Sequence, residues 1–169
     1  MSGVMDNFSL SILLNATLSK ALDLDTPIDP LVLSKLKTMS NGTTTGLVSQ
    51  MWHDRRTLGA SATEDLDLAG GLTNAFGVTL TFATIKFVYI EASSTNVTNS
   101  VEVTRKATTG IPLFMADGDG ISLAPGEIFL YFSPTVGKTI TATTDDTLTF
   151  TNSAGTNSVT FDIILVGTD

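Results

Sequence analysis

Apolar and polar side chains alternate along most of this chain, in short runs broken by Gly, Asn, Asp and Pro. Phe8, Leu10, Ile12, Leu14, Ala16 and Leu18 share one parity, with Ser9, Ser11, Asn15, Thr17 and Ser19 mostly opposite, which is the two-residue period of a half-buried strand. A strand at this position either closes the sheet of its own domain or reaches out as an arm onto a neighbour, and the pattern fits both. Residues 25–30 are rich in turn formers. After them Asp29 is placed to cap, and Pro30 to begin, a short helix over residues 31–37, although Leu31, Leu33 and Lys35 fit a strand period too. Residues 40–46 are a loop by composition, so residues 1–46 read as an N-terminal strand or arm with its linker, and residues 47–169 as the main body.

The body reads as strands throughout. Residues 47–53 and 57–68 are extended, with Leu66 and Leu68 inward and Asp65 and Asp67 outward before the Gly70-Gly71 break. Val78, Leu80 and Phe82 share one parity and Ile85, Phe87 and Tyr89 the other, and the phase change at Ala83-Thr84 is what a bulge would produce. Further runs occupy residues 100–105, 111–115, 121–124, 128–132, 138–143, 148–151 and 159–166, with Asp117-Gly-Asp-Gly120, Pro125-Gly126 and Asn152-Ser-Ala-Gly155 as turns. Short strands recurring at intervals of about 8 to 12 residues, with no helical pattern between them, predict an all-β protein: an antiparallel β-sandwich or jelly roll with an extended N-terminal arm. No internal repeat suggests a propeller or solenoid.

Composition adjusts this picture in two ways. A chain with 42% hydrophobic and only 15% charged residues buries enough surface to fold, and at 17.8 kDa it carries more apolar surface than one small core requires, which points to burial against other chains. A formal charge of −8, with Arg55-Arg56 the densest cationic spot, speaks against a nucleic-acid partner. The absence of cysteine excludes disulfides and thiolate metal sites. No apolar run approaches the ~18 residues of a membrane-spanning helix, and the first residues lack the basic start of a secretory signal. Sequons at Asn7, Asn15, Asn41 and Asn96 are what chance places in a chain rich in Asn and Thr.

Candidate chemistry is sparse. His53 is the only histidine, and its neighbour Asp54 would point to the opposite face of a strand, so no catalytic residue is assigned. Trp52 reads as a core or interface anchor, and Arg55 and Arg56 as partners for the excess carboxylates, within the chain or between subunits. Asp117 and Asp119 sit in an oxygen-rich turn that lacks the third acid and distal glutamate of a calcium loop, and Glu64, Asp65 and Asp67 read as a solvated strand edge; no metal site and no cofactor follow. Phosphate loops, dinucleotide fingerprints and nucleophile elbows are missing, so the expected protein is not an enzyme. The candidate subunit or lattice contacts are Phe8, Leu10, Ile12, Leu14, Trp52, Arg55 and Arg56.

The stretch Arg56-Thr-Leu-Gly-Ala-Ser-Ala-Thr-Glu-Asp-Leu-Asp-Leu-Ala-Gly-Gly-Leu-Thr-Asn-Ala-Phe-Gly77, followed by Leu80-Thr-Phe-Ala-Thr-Ile-Lys-Phe-Val-Tyr-Ile90, with Thr95-Asn96 and then Pro125-Gly-Glu-Ile-Phe-Leu130, resembles small virion structural proteins of tailed bacteriophages. The resemblance covers residues 52–169. It implies a β-sandwich decoration or cement subunit, often a trimer, on the capsid surface of a virion after synthesis in the host cytoplasm, with the major capsid protein as partner and no nucleic acid or membrane. Residues 1–46 lie outside it and are expected to be the lattice-contacting arm. The other readings are a tail, spike or head-fibre component touching the host surface and a carbohydrate-binding sandwich, against which the single Trp and two Tyr weigh.

Overall fold

The computed structural model describes residues 5–93 and 98–169, and among them the chain is all-β and antiparallel in every strand pair. The expected Thr95-Asn96 turn and the Asn96 sequon lie outside the described residues. The first element is a long hairpin: β1 (Asn7–Ser19) pairs with β2 (Ile28–Ser40) from Asn7 opposite Ser40 to Ser19 opposite Ile28. The short helix expected over residues 31–37 is therefore not formed. A seven-residue helix would be too short to offset its own nucleation, whereas β1 offers a backbone partner along the whole of β2. Pro30, placed to start that helix, instead faces Thr17 in a two-stranded ribbon, where a position turned to the open edge needs no N–H donor.

The body is an antiparallel β-sandwich. One sheet runs in the order β10 (Ile128–Phe132), β7 (Thr84–Ala92), β13 (Val159–Thr168), β3 (Gln50–Leu58), with β11 (Lys138–Thr139) also on β7. The other runs β4 (Thr63–Asp67), β12 (Thr147–Asn152), β8 (Val101–Thr104), β9 (Gly120–Leu123), and β5 (Ala69–Thr73) pairs with β6 (Thr79–Thr81) beside them. The main core lies between these sheets. Phe150 of β12 stacks on Phe161 of β13 at 4.5 Å between ring centroids, among Val88, Ile90, Val103, Ile163 and Leu165, all fully buried. Burying side chains of this size is the dominant favourable contribution to such a fold, at about 1.5–3 kcal/mol each.

The chain departs from its local pattern at several places. The phase change at Ala83-Thr84 is not a bulge: β6 ends at Thr81, and β7 begins at Thr84 in a different sheet, so the side-chain phase resets as the chain crosses over. A bulge does occur nearby, in β7 itself: Val166 pairs with Phe87 and Gly167 with Ile85, so Lys86 is the extra residue opposite the Val166–Gly167 step, and there the Thr84 carbonyl approaches so closely that a Cβ on Gly167 would stand 1.9 Å from its oxygen. The break expected after His53 is also absent, since β3 continues to Leu58 and turns at residues 59–62. Residues 111–115 form turns, because Pro112 has no N–H to give and the carbonyls of Phe114 and Met115 accept from the Arg105 guanidinium at 3.3 and 2.9 Å. The run at 138–143 contracts to β11, with the Asp146 carboxylate accepting from the Thr143 N–H at 2.5 Å to close the following turn.

Candidate functional site

Strand registers fix what each face of the first sheet presents. On its outer face, opposite the main core, successive cross-strand rows read Arg55, Asp162, Glu91, Ile128; then His53, Ile164, Tyr89, Leu130; then Met51, Val166, Phe87, Phe132. The third row carries a second, smaller core: Phe87 and Val166 are buried with Met39 and Val48, and Phe8 packs its ring 5.0 Å from Phe87 and 6.3 Å from Phe132. Leu10 packs against the same cluster. This is where the hairpin is rooted in the body.

Lys86 fastens the root from beneath. It is only 2% exposed, and its ammonium donates to the carbonyls of Leu47 at 2.6 Å and Thr44 at 3.2 Å, in the loop that joins the hairpin to β3. Burial holds its pKa below the ordinary lysine value.

Beyond the root, no described part of the chain covers the hairpin. Every residue from Ser11 to Thr38 is exposed, including large aliphatic side chains on both of its faces. One face carries Ile12, Leu14, Ala16 and Leu18 opposite Lys35, Leu33, Leu31 and Asp29; the other carries Leu13, Val32, Leu36 and Ile28 among Ser, Thr and Asn. Of the expected contact residues, Phe8 and Leu10 thus serve the chain's own second core, while Ile12 and Leu14 are open at 38% and 52% exposure.

The other expected contact residues each have a partner within the chain. Trp52 is a core anchor, its indole N–H donating to the Thr73 carbonyl at 3.2 Å. Arg55 grips Asp162 with two parallel hydrogen bonds of 2.6 and 2.7 Å, which raise the arginine pKa and hold the carboxyl below its usual range. Arg56 lies over the Trp52 ring at 5.4 Å and donates to Glu64 at 2.8 Å; its Nε is 2.8 Å from Asp54 without the alignment of a hydrogen bond. Asp65, on the edge strand β4, is desolvated by its surroundings, yet hydrogen bonds from Lys106 and Thr149 outweigh that and keep its pKa low. The Asp117–Asp119 turn spends its oxygens similarly, Asp119 accepting from the Ala116 N–H and Asp117 facing Arg105 at 3.3 Å. No group of acids or histidines among the described residues is gathered as a metal would require.

A groove of about 530 Å³ is lined by residues 49–53 on the edge strand β3 side and by residues of the β5–β6 turn, with Met5 and Asp169 also on its wall. His53 lies on its wall, exposed, while the adjacent Asp54 is turned toward Arg56. No general base with an orienting carboxylate is assembled there. On the outer face, Tyr89 donates its hydroxyl to Glu91; that hydrogen bond, together with burial, pushes the phenol pKa up to about 12. Sequence reasoning missed Lys86 and the second strand of the hairpin; only the two-residue spacing of Leu31, Leu33 and Lys35 signalled the latter.

In comparisons with protein-family models, curated proteins and solved structures, nothing matches this chain.

Proposed function

We propose that this chain is a non-enzymatic virion structural protein, a capsid decoration or cement subunit that binds and stabilises the lattice of a phage head as a homo-oligomer, a trimer. The observation that carries the reading is the uncovered hairpin: a segment ordered as a long ribbon, apolar on its surface and rooted on a compact sandwich, is an assembly device. An isolated two-stranded ribbon is marginal in water, so its stability comes from what covers it in the assembled state. The body suits an exposed scaffold, since Arg55, Arg56, Lys86, Arg105 and Lys106 are tied into ion pairs or carbonyl contacts, Lys138 lies over the Tyr131 ring, and its candidate reactive groups are not brought together. The sandwich is compatible with jelly-roll connectivity as part of the same proposal.

A small protein that binds only the assembled lattice stabilises it by mass action, without chemistry. The test is co-sedimentation of the purified full chain with heads of a phage whose genome encodes it, compared with unassembled capsid subunits. Saturable binding to heads, together with greater resistance of those heads to heat or chelation, is the expected result. Absence from heads combined with recovery in purified tails would move the protein to the tail and end the decoration reading.

A further inference from the structure

The hairpin faces differ in a way that identifies what covers them. The face bearing Leu13, Val32 and Leu36 has no charged residue at any position from Asn7 to Ser19 or from Ile28 to Ser40. Exposed strands normally carry lysines or inward charges that block pairing with other chains, and this face has neither. The opposite face is apolar at its centre, with Leu14 directly across from Leu33, and has Lys35, Lys37 and Asp29 toward its ends.

A ribbon laid on a flat surface hides one face only. Here Leu13, Ile28, Val32 and Leu36 on one face are 61–71% exposed, and Leu14, Leu18 and Leu31 on the other are 52–73% exposed. Both faces therefore need cover. Charge says whose: residues 7–40 contain three lysines and three aspartates and are neutral, whereas residues 41–169 contain six cationic and thirteen acidic residues, a net −7. In so acidic a chain, the hairpin is the stretch that a second copy approaches without electrostatic repulsion.

We infer that the hairpins of several copies of this chain bury one another on both faces, forming an intertwined core at the centre of the homo-oligomer. The inference rests on the oligomeric structural role proposed above and names the surface that builds it. The exposed aliphatic side chains of residues 11–38 amount to roughly 700 Å² per copy, taking about 100 Å² for each fully exposed one. That approaches the ~800 Å² per partner of a stable interface, before any backbone pairing along the ribbon's open edges.

The test uses two double variants of the full chain: Leu14→Asp with Leu33→Asp on one face, and Leu13→Asp with Leu36→Asp on the other. Sedimentation equilibrium of the unaltered chain is expected to give a multiple of 17.8 kDa, and each double variant is expected to sediment as a single chain. Thermal unfolding of the sandwich should be unchanged in both, because none of these side chains touches it. An unaltered chain that is monomeric at the highest attainable concentration overturns the inference, and so does an oligomer that survives both double variants. Dissociation by only one variant overturns the two-faced burial. Head co-sedimentation run in parallel separates the two readings: an oligomer that ignores heads sinks the decoration role alone, and a monomer that binds heads sinks this inference and the trimer while leaving the decoration role standing.

Discussion

Replacing Phe8 with alanine tests whether the hairpin root is energetically separate from the sandwich core. Phe8 is half-buried and meets only the second cluster, with its ring 5.0 Å from Phe87 and 6.3 Å from Phe132. Truncating a fully buried phenylalanine costs about 3–5 kcal/mol; half-burial lowers this, and loss of the aromatic pairs restores part, for a net of about 2 kcal/mol. Such a cost shifts the ratio of docked to undocked root by about thirtyfold. Phe161→Ala is the control: Phe161 is fully buried and stacked on Phe150, so its loss should lower the sandwich Tm by roughly 6–20 °C. For Phe8→Ala, limited proteolysis should show much faster cleavage in the residue 41–49 loop while the sandwich Tm stays within about 4 °C. A Tm drop matching that of Phe161→Ala, or unchanged cleavage of the loop, would refute the separation.

Other outcomes follow from single contacts. Gly167→Ala should destabilise the sandwich severely, because the new Cβ would meet the Thr84 carbonyl oxygen, a backbone atom of the paired strand; thermal unfolding or loss of soluble expression checks it. Lys86→Met removes the donor to the Thr44 and Leu47 carbonyls and should loosen the loop, seen as faster amide exchange there. Because burial lowers the Lys86 pKa, the unfolded chain binds more protons just below pH 10.5, so unaltered protein should gain stability as pH rises through that window and the Met variant should not. Tyr89 behaves oppositely: with its pKa raised to about 12, the stability it contributes is intact below pH 10 and is lost as pH rises toward 12. Tyrosinate absorbance should show that late ionisation, and Glu91→Gln should bring it to lower pH.

The sandwich was legible wherever one face of a strand is wet. Leu66 with Asp65 and Asp67, or Val101 and Val103 with Glu102, alternate cleanly, and these strands form near the expected residues. Legibility fails where context overrides the local pattern. Asp29-Pro30 has the chemistry of a helix start, but the register with β1 wins because it pairs the whole of β2. Ile111 is buried, yet its neighbours Pro112 and the Arg105-bound carbonyls keep that run out of a sheet. Lys86 sits between Ile85 and Phe87 in a central strand buried on both faces, and its acceptors Thr44 and Leu47 lie some forty residues earlier, so nothing local marks it as a buried pin. For the candidate contacts, alternation announced that Phe8, Leu10, Ile12 and Leu14 share a face, but not that the chain's own body stops covering that face after Leu10.

That stopping point also orders the steps of assembly. The sandwich depends on long-range pairings such as β3 with β13, which join residues 50–58 to residues 159–167, and these contacts form slowly. The hairpin is local in sequence and closes quickly through its turn at residues 20–27, but alone it is too thin to persist. Its root needs Phe87 and Val166, which are in place only when β7 and β13 have paired. An arm whose two faces would attract any other arm is therefore aimed by the finished body, so that association between copies follows folding and inherits the body's geometry. The Lys86 contacts tighten this coupling by fixing the residue 41–49 loop to β7. A flexible tether at the same place would leave the apolar ribbon able to pair in any orientation, the route from a closed symmetric oligomer to open-ended aggregation.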